Sequence, residues 1–569
     1  MIINTLIFII FSFVILFSTI GYGLFFSKII VGRSIYLNLA SQSLFGILLL
    51  YFISSFTHLF FPHDYVHNLI LLLVGLFFFI KFINKNASDK DQLKYIFFVF
   101  CLLYLGFLIS KTNEDFGYYH LPNSLHYSNY KLQFGLGNLN HGFKHYSSLF
   151  LINSLFYLPK LEFYLFNITN FMFQTFFFSS LLLIFKIKKI NNFTKLFIFL
   201  SFIIYLTKFH RLSEYGADYA GQFLVLLAFV YATILFGSKN LKILEKKKIF
   251  LITSYLIIFS TTTKFLYIIY IIAPLSIFII SFKLKEIINY TLDLKFLLIT
   301  FSSIVTILFF NFSSTGCLIY PVNFTCFYNT YDWALNENVI NYLNLHYESW
   351  SKGGKGTGYE LENLEEYISG LNWVNFWFKN YFFTKISDFI FVVMFILLIF
   401  FIFVKKNLKK TQYKIKNKKI AFNYISILII LILWFLNFPS LRYAGYSIFF
   451  IFLIYPFCYY FYTYIDFNNS KIVNKTKILA LIALIFFNLK NVQRINSELN
   501  LSITDHHNFK NFPFFWVDET EYDKIEINGT YISDITNNKK CWNTPPTCVR
   551  GISNLLINKK NGYIFYSIK

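Results

Sequence analysis

Long apolar runs alternate with short polar connections along nearly the whole chain. After a first run at the N-terminus, MIINTLIFIIFSFVILFSTIGYGLFF, apolar segments cover approximately 36–61, 66–84, 95–110, 147–185, 196–208, 218–236, 249–263, 265–283, 296–311, 386–404, 421–438, 446–465 and 476–490. Most approach the ~20 residues that a helix needs to cross a bilayer. The pattern predicts an all-α polytopic membrane protein with about 13–14 transmembrane helices. Segment 147–185 is too long for one crossing, and Pro159-Lys160 divides it into a short interfacial or re-entrant helix and a span from about 162. Segments 249–263 and 265–283 read as two short helices meeting at Lys264. The first run lacks the positive leading region and small-residue cleavage site of a secretory signal, so it is expected to be a true span.

Two polar pieces are sizeable: the stretch 312–384 and the tail from about 490. In the tail, KIEINGTYISD and NGYIFYSI alternate apolar and polar residues, which predicts a small extracytoplasmic C-terminal cap of α/β or irregular structure over 491–569, beside a transmembrane domain over 1–490. Within 312–384, Leu361, Leu364, Tyr367, Ile368 and Leu371 fall at helical spacing, and Trp373 and Trp377 stand four apart. That spacing describes an amphipathic helix lying on the membrane surface. GGKGTG (353–358) lacks the GxxxxGK[ST] pattern of a phosphate loop and reads as a flexible loop.

Composition agrees: 56% of residues are hydrophobic and only 14% charged, too apolar for a soluble protein of this length. The net charge of +23 is carried almost entirely by lysine, the arginines being Arg33, Arg211, Arg442, Arg494 and Arg550. Together with abundant Asn, Ile and Phe this matches translation of an AT-rich genome. No soluble fold interleaved with basic residues is present, which argues against nucleic acid as a partner. The lysines cluster in 186–195, 238–248, 283–295 and 405–419, and the positive-inside rule assigns these connections to the cytoplasm. The outer side then receives the loops 111–146, 209–217, 312–384 and 439–445 and the tail. Two close cysteine pairs, Cys317 with Cys326 and Cys541 with Cys548, fall on that same side, where disulfides form.

Candidate chemistry concentrates in the outer loops. The stretch from Lys111 to Ser148 carries Glu114, Asp115, Tyr118, Tyr119, His120, His126, His141 and His145 directly after a span. A carboxylate at a membrane boundary is partly desolvated, which suits it to general-base work; an idle, solvated loop acid is the plain alternative. The hairpin TKFHRLSEYGADYAGQ crowds Arg211, Glu214 and Asp218 together, and Asp218 opens the next span, where an unpaired charge is costly. Arg442, in NFPSLRYAGY, and Arg211 oppose the positive-inside trend, and guanidinium groups bind phosphate bidentately. Lys264 adds a third cation at the same depth, or snorkels to lipid headgroups. Four histidines near two acids raise the question of a metal. Their spacing matches no zinc signature, and no metal ligands are assigned. No cofactor is fixed; a divalent cation held by the two acids is the form a metal would take.

EDFGYYHLP, GLGNLNHGFKHYSS, EYGADYAGQ, TGCLIYP, FPSLRYAGY and CWNTPPTC, in this order and all on the outer side, resemble the GT-C class of integral membrane glycosyltransferases. More closely, they resemble an uncharacterised group of bacterial multipass membrane proteins allied to that class. The resemblance implies a polyprenyl-phosphate-linked sugar donor, a glycan or lipid acceptor and a site facing the periplasm of a bacterial inner membrane, in contact with membrane lipid. It implies Asp115 or Glu114 as the base of an inverting transfer. Arg211, Lys264 and Arg442 would hold the carrier phosphate, and Tyr119, His120, Glu214 and Asp218 would position sugar or acceptor. GT-C enzymes carry the catalytic acid after the first span, whereas here it follows about the fourth, so three helices would be an N-terminal addition. The rival readings are an O-antigen or capsule polymerase or ligase, in which the arginines outweigh Asp115, and a transporter or flippase. The latter expects charges near the midplane and paired repeats, neither of which stands out.

Overall fold

The computed structural model describes residues 2–108, 115–210, 216–353, 363–405, 417–500, 520–535, 540–551 and 554–568. Helices α1 (Ile2–Ile30), α2 (Leu39–Thr57), α3 (Tyr65–Ile83) and α4 (Ala87–Leu108) follow one another across short turns. Two helices too short to cross, α5 (Leu121–Asn129) and α6 (Ser148–Ser154), precede α7 (Ile168–Phe185), α8 (Asn192–Lys208), α9 (Ala217–Ile234) and α10 (Ile243–Thr263). The chain continues through α11 (Ile272–Ser281), α12 (Leu284–Thr291) and α13 (Leu294–Thr315), then the polar α14 (Glu337–Gly353) and α15 (Leu364–Ile368). Helix α16 (Trp373–Trp377) runs through a π-helical stretch, Phe378–Ile386, into α17 (Ser387–Val404), and α18 (Asn417–Asn437), α19 (Tyr446–Phe461) and α20 (Ser470–Asn500) complete the bundle.

Among the described residues, eleven helical segments are long and apolar enough to cross a membrane. This is a multipass membrane protein. Three further apolar helices fall short of that standard. Helix α8 has 17 residues, α10 opens on Glu245 and three lysines, and Phe265–Ser281 is both short and irregular at its start. Central helices α7 and α9 are enclosed almost all round. Outer helices instead keep apolar stripes at helical spacing, such as Ile70, Leu73, Phe77 and Ile80 on α3 and Phe391, Phe395, Leu398 and Ile402 on α17. Such stripes are what lipid tails cover. Side-chain caps at Asn38, Asp64 and Asn191, each accepting from a backbone N–H three residues on, start α2, α3 and α8.

The bundle has a lysine-rich end. There Lys247 pairs with Asp293 at 2.9 Å, Lys295 donates to the Ile29 carbonyl at 2.8 Å, and Ser34 donates to Glu245. Successive helices run up and down, so 115–146, Lys264, Arg442 and the end of α20 gather at the other end.

The surface helix expected over 361–377 is not one helix. Leu361 lies outside the described residues. Helix α15 stops at Ile368, Gly370 turns the chain with φ of +55°, and Trp373 begins the long spanning helix. Trp373 and Trp377 therefore point into the bundle, 1% and 2% exposed, rather than along a membrane surface. The Gly-rich 353–358 lies, but for Gly353, outside the described residues. The two cysteine pairs form disulfides, Cys317–Cys326 and Cys541–Cys548.

Beyond α20 the described residues form strands. β1 (Asp523–Ile527) and β2 (Thr530–Asp534) are antiparallel, β3 (Cys548–Val549) joins β2 in parallel, and β4 (Leu555–Lys560) with β5 (Tyr563–Ile568) makes a hairpin. Both hairpins turn at Asn-Gly with positive φ, Asn528-Gly529 and Asn561-Gly562. This cap grips the loop that follows α5. Phe134 donates to the Ile564 carbonyl and accepts from the Tyr566 N–H, both at 2.9 Å, while the Arg550 N–H donates to the Leu139 carbonyl at 3.1 Å. Leu136, Leu139 and Phe143 share one apolar cluster with Ile532, Val549, Leu555, Ile557 and Tyr566. Trp542 enters a second cluster with Phe116, Leu121, Leu125, Phe163, Tyr164 and Phe166, and its backbone N–H donates to the Gly117 carbonyl at 2.9 Å. A Cβ on Gly117 would stand 2.2 Å from the indole, so only glycine fits beneath it.

Trp542 is the peg that holds the cap to the α5 region. Trp542→Ala should cost about 3–5 kcal/mol of docking and expose the 520–568 segment to limited proteolysis while the helical bundle stays protected. Equal protease resistance of variant and wild type would disprove the peg.

Candidate functional site

Four charged side chains from four distant parts of the chain meet at the end of the bundle opposite the lysines. Asp115 precedes a π-turn, Phe116–His120, that leads into α5. Asp218 lies in the first turn of α9. Lys264 is the extended residue between α10 and the 3-10 turns of Phe265–Ile271. Arg442 lies in an irregular turn, Leu441–Gly445, that opens α19.

Arg442 is shared. Its Nε donates to Asp218 Oδ2 at 2.8 Å, and its terminal nitrogen bonds Asp115 Oδ2 and donates to the Tyr119 hydroxyl at 3.1 Å. Lys264 Nζ takes the other oxygen of Asp218. The sequence of charges is thus Asp115, Arg442, Asp218, Lys264, with signs alternating. Lys264 also sits over the Tyr443 ring at 4.5 Å, and the guanidinium lies 5.8 Å from the Trp350 ring and 5.9 Å from that of Tyr443.

The four differ in access. The Asp218 side chain is 6% exposed, against 26% for Asp115, 26% for Lys264 and 30% for Arg442. Asp218 is therefore the sealed counter-ion that holds both cations, and Asp115 is the carboxylate that an entering molecule can reach.

Aromatic side chains fix the Arg442 turn. The Trp377 indole donates to the Pro439 carbonyl at 2.6 Å, the Trp434 indole to the Tyr443 carbonyl at 2.8 Å, and the Leu441 N–H to the Tyr381 hydroxyl at 2.8 Å. Tyr270 donates to the carbonyl of Ala444, whose φ is +65°, and Tyr267 to the backbone carbonyl of Asp218. On the other wall, the Ser147 hydroxyl donates to the Thr263 carbonyl at 2.8 Å and ties the loop before α6 to the residue preceding Lys264.

Tyr119 and His120 pack with ring centres 4.2 Å apart and ring planes tilted by 38°, and His120 packs edge-on against Phe150. Gly216 lies against the imidazole so closely that a Cβ there would be 2.3 Å from Nε2. Burial pushes His120 down to about 4, against the pull of Asp115 and Asp218, so it is neutral at pH 7. Burial also raises the Tyr119 phenol well above its ordinary range, which keeps it a neutral partner for Arg442.

Of the residues singled out in the sequence, the structure brings Asp115, Tyr119, His120, Asp218, Lys264 and Arg442 together. Glu114, Arg211 and Glu214 lie outside the described residues. The paired cysteines serve the periphery: Cys317–Cys326 lies in a cluster with Leu335 and Ile340, and Cys541 accepts from Asn140 at 3.1 Å in the cap. Among the described residues, no group of three or more His, Cys, Asp or Glu side chains is arranged to hold a metal ion. The sequence reading missed Trp350, Tyr267 and Tyr443. Only Tyr443 carried a signal, its adjacency to Arg442 in a turn.

A family model described as a domain of unknown function (DUF8201) matches residues 5–450, a range that holds all four charged residues. The chain belongs to this DUF8201 family. No curated protein and no solved structure matches it. The DUF8201 match ends within α19, before α20 and the strands of the cap.

Replacing Arg442 by Ala leaves two carboxylates facing one lysine and should cost about 3–5 kcal/mol, with Arg442→Lys in between; a melting temperature unchanged in detergent would refute the shared-cation arrangement. Burial holds His120 and His141 near 4 and His63 and His126 near 3, all below the ordinary value. Below about pH 6.5 the unfolded chain binds protons that the folded chain refuses, so stability is full above that pH and lost as pH falls. Each histidine contributes a slope of about 1.4 kcal/mol per pH unit down to its folded value. Melting scans from pH 7.5 to 4.5 should show a steep fall, and a flat profile would contradict the buried imidazoles.

Proposed function

We propose that this chain is a GT-C-like membrane glycosyltransferase that moves a sugar from a polyprenyl-phosphate carrier to a cell-envelope acceptor. The observation that carries the reading is the convergence of Asp115, Asp218, Lys264 and Arg442, with Asp115 the accessible acid and two cations beside it. In the transfer, the Asp115 carboxylate takes the proton of an acceptor hydroxyl as that oxygen bonds the anomeric carbon. The bond from that carbon to the carrier phosphate breaks on the opposite face, and the electron pair leaves with the phosphate. Arg442 and Lys264 stabilise the charge that develops there. When a phosphate takes the guanidinium, Asp115 is released from its ion pair and becomes free to accept the proton. Asp218 stays between the cations and keeps their spacing.

The lysine-rich opposite end supports a cytoplasmic assignment for that side. The site then faces the periplasm of a bacterial inner membrane, where lipid-linked sugars are accessible and nucleotide sugars are not. The two disulfides at the site end favour the same orientation.

The test uses proteoliposomes of wild type and Asp115→Asn supplied with bacterial polyprenyl-phosphate sugars and envelope glycans, with free polyprenyl phosphate followed by mass spectrometry. Wild type should release it and the variant should be slower by about 10²-fold or more. Equal release would remove Asp115 from the role of base. Absence of release from every donor would favour a polymerase or a transporter instead.

A further inference from the structure

Among the described residues the first cluster is electrically closed, with two carboxylates for two cations, and a second cluster beside it is not. Lys144, at the end of the short 3-10 turn His141–Lys144, is partly buried, and no ion pair engages it among the described residues. His141 begins the same turn and His145 follows Lys144 directly. The Tyr347 hydroxyl on α14 lies 2.8 Å from His141 Nε2, 3.3 Å from His145 Nε2 and 3.3 Å from the Tyr320 hydroxyl. The Tyr119 ring, which touches Arg442 through its hydroxyl, lies 5.3 Å from the His145 ring and joins the two clusters.

The electrostatics have one sign. The Lys144 ammonium opposes protonation of His141 and, together with that of Lys264, of His145, and no carboxylate is among the leading influences on either ring. Both imidazoles are held neutral, His141 near 4, and burial draws the Lys144 ammonium down to about 8. A withdrawn ammonium without a counter-ion is costly. An anion would supply the missing charge, take hydrogen bonds from Lys144 and Tyr347, and favour protonated imidazoles.

We infer that Lys144, His141, His145 and Tyr347 form a second anion subsite, distinct from the Arg442–Lys264 pair, that binds a phosphate group. Two arrangements supply one: a lipid bearing a phosphate headgroup, or a free or sugar-borne phosphate entering from water. The subsite stands on the charge balance and the hydroxyl–imidazole geometry, so it does not depend on sugar transfer.

The experiment takes the full chain with ¹⁵N-labelled histidine in nanodiscs. One arm titrates inorganic phosphate and pyrophosphate into phosphatidylcholine discs. The other uses discs doped with phosphatidic acid or polyprenyl phosphate and no free anion. Saturable shifts of the His141 and His145 ring nitrogens towards the imidazolium form are expected, in the first arm for a water-borne phosphate and in the second for a lipid one. Lys144→Gln should weaken the effect about tenfold or more, and Tyr347→Phe, which keeps the ring, by a smaller factor. If Lys144→Gln does not fold, Tyr347→Phe decides. The subsite is refuted if neither arm shifts those nitrogens, or if the folded variants titrate like wild type. Phosphate bound at Arg442 and Lys264 alone would give that second outcome.

Discussion

The guanidinium of Arg442 is the interaction on which the site end depends. It binds carboxylates from before α5 and from the first turn of α9, and through Asp218 it fixes Lys264 as well. Charges at this depth are tolerated only as a set, because each withdrawn ion needs its partner. The surrounding aromatic hydrogen bonds from Trp377, Trp434 and Tyr381 make sense in that light. They hold the turn that carries Arg442 so that one side chain can serve two acids.

The same constraint explains the irregular backbone nearby. Asp115, Lys264 and Arg442 each stand where a helix is interrupted or begins irregularly: beside a π-turn, between α10 and a 3-10 stretch, and in a turn with φ of +65° at Ala444. A regular helix would point its residues at lipid or at a neighbouring helix. An interruption turns side chains and backbone groups inward, which membrane proteins accept where the freed groups find partners. In the Arg442 turn the Tyr270 hydroxyl takes the Ala444 carbonyl and the Trp434 indole that of Tyr443.

Much of this was legible in the chain. Apolar periodicity located most spanning helices within a few residues, and the division of 147–185 near Pro159 corresponds to α6 followed by α7. Asp115, Asp218, Lys264 and Arg442 stood out because charges are rare at span ends and arginine is rare in this chain. Other features were hidden for definite reasons. The run 361–377 has the spacing of one amphipathic helix, and nothing local announces that the indoles of Trp373 and Trp377 find partners in the 439–445 turn and the bundle. Trp350 and Tyr347 sit on a polar helix whose contact with the site depends wholly on tertiary placement. The two Asn-Gly pairs were hairpin signals in plain view, whereas the grip of the cap on residues 133–143 was not, because pairing between such distant segments leaves no local trace.

That grip has a bearing on how the protein is made. The loop carrying His141, Lys144 and His145 emerges from the ribosome early, but Gln133 meets its Tyr566 partner only 433 positions later. Until then Leu136, Leu139 and Phe143 lack the apolar surface that covers them. The wall of the site is therefore among the first pieces synthesised and among the last to be finished. A nascent chain stalled before β5 already carries Asp115, Asp218, Lys264 and Arg442, yet the loop that walls the site still lacks the strand that covers it.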